Sequence, residues 1–146
     1  MPVKIVPDLP AFDLILSVVL AALLVLLASL LKEPARQRFM AIFVAGAGAA
    51  YLNGGLGLWE FGFTALATVC AYRGLESYTF IAIAWLLHTG WDILHHLYGS
   101  PIVFFQPASS AGCAITDTLI AIWFFLGAPS VFPSRDAQAV SPAAVR

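Results

Sequence analysis

Five apolar runs, each closed by charged residues, glycine or proline, divide the chain. The first, Phe12 to Leu31, has 20 residues broken only by Asp13, Ser17 and Ser29. At about 1.5 Å per residue, a helix of that length crosses the roughly 30 Å of hydrocarbon in a bilayer. Lys32-Glu33-Pro34-Ala35-Arg36-Gln37-Arg38 follows as a charged loop whose proline ends the helix. Phe39 to Leu52 is apolar, rich in alanine and glycine, and ends at Asn53-Gly54-Gly55. It predicts a second, short span of about 14 to 18 residues. Leu56 to Tyr72 predicts a third span, ended by Arg73-Gly74, and Tyr78 to Leu97 a fourth, ended by Tyr98-Gly99-Ser100-Pro101. Ala111 to Leu126 predicts a fifth, stopped by Gly127-Ala128-Pro129. The expected fold is therefore all-α: an integral membrane bundle of about five transmembrane helices, one domain over residues 1–132. Residues 133–146 form an Ala/Ser/Pro-rich tail with too little apolar content to fold. The alternative is one span plus a re-entrant piece over Phe39 to Tyr72.

Composition sharpens the picture. Hydrophobic residues make up 61% of the 146 positions and charged residues only 10%, with a mean hydropathy of +0.91. Soluble domains carry about 25% charged residues, so such a composition excludes a soluble monomer and makes the lipid bilayer the first partner. The net charge is −1 with no basic stripe, which excludes nucleic acid as a partner. Cys70 and Cys113 form no CxxC pair and no disulfide framework. Asp8 and Asp13 against Lys4, with no small-x-small cleavage site before Lys32, make the first run an anchor and not a secretory signal.

Charge also orients the bundle. Five spans put Lys32, Arg36, Arg38, Arg73, Arg135 and Arg146 on one side and only Lys4 on the other. The positive-inside rule then places the N-terminus outside and the C-terminus in the cytoplasm, with the chain in the inner (cytoplasmic) membrane. In the second run Ala41, Ala45 and Ala49 repeat beside Gly46 and Gly48, a small face that lets helices approach closely in lipid. Gly46-x-Gly48 lies in a membrane run without a preceding strand and is not a nucleotide fingerprint.

The candidate chemistry lies in ionisable residues inside these runs, each of which costs about 2.5 to 3.5 kcal/mol on insertion scales and needs a partner or a role. Taking His88 as zero and about 100° per residue, Asp92 falls near 40°, His95 near −20° and His96 near 80°. His88, Asp92 and His95 thus share one stripe with His96 at its margin. Ser110, Cys113 and Asp117 share one face of the fifth run. Glu60, Asp92 and Asp117 each sit about four to six residues from the outer end of their spans, within one helical turn of depth. Three helices therefore offer carboxylates at one level. Histidine and carboxylate donors suit Zn²⁺, Fe²⁺ or Mn²⁺ better than Cu⁺. The plainer alternative is a packing network with solvated interfacial histidines and an aromatic belt of Trp85, Trp91 and Tyr98.

Asn53-Gly54-Gly55-Leu56-Gly57 with Trp59-Glu60, together with His88-x3-Asp92-x2-His95-His96-Leu97-Tyr98-Gly99, resembles a family of small bacterial multi-spanning membrane proteins of unknown function. The resemblance runs from about Phe39 to Trp123. It implies a compact helical membrane protein with Glu60, His88, Asp92, His95, His96 and Asp117 at motif positions, and no established activity. More loosely, the chain is similar to membrane zinc hydrolases that combine three histidines, an aspartate and a serine. Those draw their histidines from separate helices, whereas here all three lie on one.

Three functional expectations follow. One is a metal-dependent hydrolase acting on a lipid-like substrate, with a divalent metal on His88, Asp92, His95 and His96 and with Glu60 and Asp117 as catalytic carboxylates. Another is a proton or cation carrier or channel subunit, working as a homo-oligomer because five short helices enclose little pathway. The third is an accessory subunit whose polar network only specifies packing.

Overall fold

The computed structural model describes residues 9–52 and 55–132. These form five α-helices and, among the described residues, no strand: α1 (Ala11–Ser29), α2 (Ala35–Ala49), α3 (Trp59–Gly74), α4 (Tyr78–Tyr98) and α5 (Ser109–Phe125). The expected tail at 133–146 lies outside the described residues, as do Lys4, Asn53 and Gly54. One described helix, α1, is long and apolar enough by length and composition to cross a membrane, and α5 is apolar but has 17 residues. α4 has 21 residues, but its histidines and Asp92 dilute its apolar character.

Local chemistry sets the ends. Pro10 precedes α1 with a φ of −59°, a position where its missing N–H costs nothing. α2 starts at Ala35, four positions before the apolar run at Phe39, because Glu33 serves its first turn. Glu33 Oε2 accepts the Gln37 N–H at 3.3 Å, and Glu33 Oε1 accepts Arg36 Nε at 2.6 Å. α5 ends in a Schellman turn: Gly127, at φ 83°, gives its N–H to Phe124, and Ala128 gives its N–H to Trp123. This is the stop that Gly127-Ala128-Pro129 predicts.

α4 is the central helix. It packs against α5 on one side and against α3 and α2 on the other, while α1 lies on the far side of α5. The core is divided along the helix axes. At one end Met40, Val44, Ile81, Trp85, Ile120 and Phe124 form an apolar layer. At the other, the buried positions of α3, α4 and α5 include Glu60, His88, Asp92, His95, Ser110 and Asp117.

α1 is inverted relative to a helix of a water-soluble protein. Its buried side carries Asp13, Ser17, Ala21, Ala28 and Ser29, and its exposed side carries large apolar residues such as Ile15 (63% exposed) and Leu27 (53%). Small and hydroxyl-bearing side chains bring α1 onto α5 closely. Thr116 Oγ1 donates to the Ser17 carbonyl at 3.0 Å, and a Cβ on Gly112 would meet Ser17 Oγ at 3.0 Å. The exposed apolar belt continues over α2 with Ile42 and Phe43, α3 with Leu66 and Val69, and α5 with Ile122 and Phe125.

Candidate functional site

The stripe on α4 points inward as its spacing requires: His88, Asp92 and His95 are all buried, in line with Ile81, Ala84 and Trp85 one and two turns earlier. Asp92 is fully enclosed at 0% exposure, and Asp117 reaches it from α5 at 7%. The two carboxyl groups are close enough to interact electrostatically. Asp92 Oδ2 has no hydrogen-bond partner among the described residues, and a carboxyl group donates only when protonated. Two carboxylates brought together in a buried site repel unless a proton or a cation lies between them. Cys113, one turn before Asp117, lies close enough to interact electrostatically with both carboxyls.

Tyr51, in the turn after α2, donates its hydroxyl to Asp92 Oδ1. Its ring fills the space between the two histidines, 5.7 Å from the His88 ring and 5.2 Å from the His95 ring, centroid to centroid. Phe63 closes the same space edge-on, 5.2 Å from Tyr51 and 5.1 Å from His88. The spacing argument overlooked Tyr51, because a tyrosine at the end of an apolar run is ordinarily an interfacial anchor. Its signal is its place just past the C-terminal end of α2, level with the three carboxylates.

The two histidines are held alike. His88 Nδ1 lies 2.7 Å from the Ala84 carbonyl and His95 Nδ1 lies 3.1 Å from the Ser100 carbonyl. A carbonyl only accepts, so each Nδ1 carries the hydrogen and each Nε2 is turned to the interior. His88 Nε2 rests against Gly48, where a Cβ would stand 3.4 Å away. His95 Nε2 stands 3.4 Å from Glu60 Oε1, in ion-pairing range but outside hydrogen-bond geometry. Glu60 enters α3 in its first turn and also accepts the Leu56 N–H at 2.6 Å.

The bundle thus brings together Asp92 with Asp117, and Glu60 with His95, with Tyr51 between the two pairs. His96 is not part of this arrangement. At roughly 80° from His88 it is half-buried and lines a groove of about 510 Å³ between α4 and α5 with Ile93, Leu97 and Leu119. Ser110 shares the buried face of Asp117, but its hydroxyl accepts the Ile102 N–H at 3.3 Å and so fixes the α4–α5 connection. Among the described residues no group of three His, Cys, Asp or Glu side chains is arranged to hold a metal ion. The carboxylates are spread over two pairs, and His88 Nε2 faces a glycine.

No curated protein and no solved structure matches the chain. One family model does, over residues 12–130, a stretch that contains all five helices but the first residue of α1. It takes in Tyr51, Glu60, His88, Asp92, His95 and Asp117. The chain belongs to that family, the family of unknown function DUF6010.

Proposed function

We propose that this is an integral membrane protein of five spans whose interior holds and passes a proton, acting as a carrier or channel subunit. What supports the membrane reading is the inverted α1, with Asp13 and Ser17 inside and Ile15, Val19 and Leu27 outside. An apolar exterior of that extent suits lipid and would aggregate in water. The expected orientation, N-terminus outside and C-terminus in the cytoplasm, rests on the basic residues alone. The polar half of the bundle then lies in its outer half.

The observation that carries the proton reading is the convergence of two buried carboxyls from α4 and α5, Asp92 and Asp117, with the Tyr51 hydroxyl on Asp92. Intramembrane carboxyls that face the bundle interior and pair with one another mark proton relays and ion paths. Tyr51 bridges this pair and the Glu60–His95 pair, its hydroxyl on Asp92 and its ring against His95. Glu60, His95, Tyr51, Asp92 and Asp117 would form a path of proton-exchanging groups. A homo-oligomer would give five short helices a longer enclosed route.

A second reading keeps a Zn, Fe or Mn ion on His88, Asp92 and His95, with hydrolase chemistry on Glu60 and Asp117. What favours it is the shared tautomer of the histidines, since metal-bound imidazoles also tie their other nitrogen to an acceptor. Reconstitution into liposomes with an internal pH dye separates the readings. Potential-driven proton uptake that Asp117→Asn abolishes, in protein free of metal by elemental analysis, is the expected outcome. Near-stoichiometric metal that His88→Ala removes would assign the centre to metal instead.

A further inference from the structure

A further buried carboxyl lies outside both the Asp92–Asp117 and the Glu60–His95 pairs. Asp13, 7% exposed, lines a chamber of about 390 Å³ between α1, the α4–α5 connection and α5. Its walls include Phe12, Leu16, Leu20, Val103, Phe105 and Cys113. Gln106 Nε2 donates to Asp13 Oδ1 at 2.7 Å. Among the described residues no lysine, arginine or histidine pairs with Asp13. An anionic group in an apolar chamber is complementary to a ligand with a cationic head and an apolar body. The volume is near the lower end for small-molecule pockets, which suits a single short alkyl chain and not a two-chain lipid.

We propose that this chamber binds a free amphiphilic amine, its ammonium group on Asp13 and its alkyl chain along Leu16 and Leu20 toward Cys113. The site does not depend on the proton reading, because neither Asp92 nor Asp117 lines it. Cys113 nevertheless joins the two, as its thiol borders the chamber and interacts with both carboxyls.

The test uses the full chain in nanodiscs of zwitterionic lipid, with an alkyl diamine dansylated at one end and carrying a free ammonium at the other as probe, and empty nanodiscs as background. Binding should saturate, unlabelled alkylamine should compete, and the alcohol of equal length should not. Asp13→Asn should weaken binding at least about tenfold, about 1.4 kcal/mol. Bound amine should also slow maleimide labelling of Cys113. Where Asp13→Asn does not fold, Leu16→Trp fills the chamber from its lipid-facing wall and should abolish binding with Asp13 intact. Equal competition by amine and alcohol, undiminished binding in Asp13→Asn, or undiminished binding in Leu16→Trp would overturn the proposal.

Discussion

The Tyr51 hydroxyl donates to Asp92 Oδ1 across the interface between the end of α2 and the middle of α4. Both side chains are buried, so this bond joins α2 to the centre of the bundle and fixes one oxygen of Asp92. Tyr51→Phe should keep the ring contacts with His88, His95 and Phe63 and leave that oxygen without its donor. The expected loss is about 1–3 kcal/mol of stability, seen as a lower Tm in detergent, together with slower proton uptake in liposomes. Wild-type uptake and Tm in Tyr51→Phe would remove Tyr51 from the path.

Glycines differ sharply in what they allow. A Cβ on Gly55 would lie 2.5 Å from His95 Cε1, and one on Gly99 would lie 2.9 Å from His95 Nδ1, whereas Gly46 has nothing within 4 Å. Gly55→Ala and Gly99→Ala should each displace His95 from Glu60 and cost about 1–3 kcal/mol by overpacking. Gly46→Ala, inside α2, should be neutral or stabilise by up to about 1 kcal/mol. Thermal unfolding of the three variants checks the order.

The stripe of His88, Asp92 and His95 was legible because helical spacing alone decides which residues share a face, and the depth argument brought Asp117 to the same level. Four features were not legible. Helical angle gives direction but not which neighbour occupies it, so Glu60 read as a third carboxylate beside Asp92 when it in fact faces His95. His96, at the margin, falls into the α4–α5 groove because α5 packs so closely on that side of α4. Tyr51 was lost for a different reason: a side chain's partner 41 positions away leaves no periodic trace. The early start of α2 depends on Glu33 side-chain bonds, which hydropathy does not register.

Glu33 gives the account a pH dependence outside the apolar spans. Partial burial pushes its carboxyl up, but hydrogen bonds from Tyr78 and Arg36, the Arg36 charge and the Gln37 N–H outweigh it and hold it below the usual carboxylate range. A lowered folded-state value means the contribution is present above the unfolded value and is lost as pH falls through the folded one. At neutral pH, Glu33→Gln should therefore cost no more than about 1 kcal/mol, as this carboxylate is partly exposed. The wild-type and variant Tm values should converge in acid. A gap that widened in acid would contradict this assignment.

Topology is open to direct reading. A reporter fused after Arg146 should read cytoplasmic and one before Met1 external, because six of the seven basic residues fall on one side of a five-span chain. Both termini on the same side would refute the five-span arrangement.

The central claim is that Asp92 and Asp117 share a proton. Infrared spectroscopy of the purified protein in lipid reads this directly, through the carbonyl stretch of a protonated carboxylic acid. The account predicts such a band in the wild type and its loss in Asp117→Asn, where the amide fills the same volume and donates to Asp92 without a titratable proton. A wild-type spectrum without the band, or a band undiminished in both Asp117→Asn and Asp92→Asn, would contradict it.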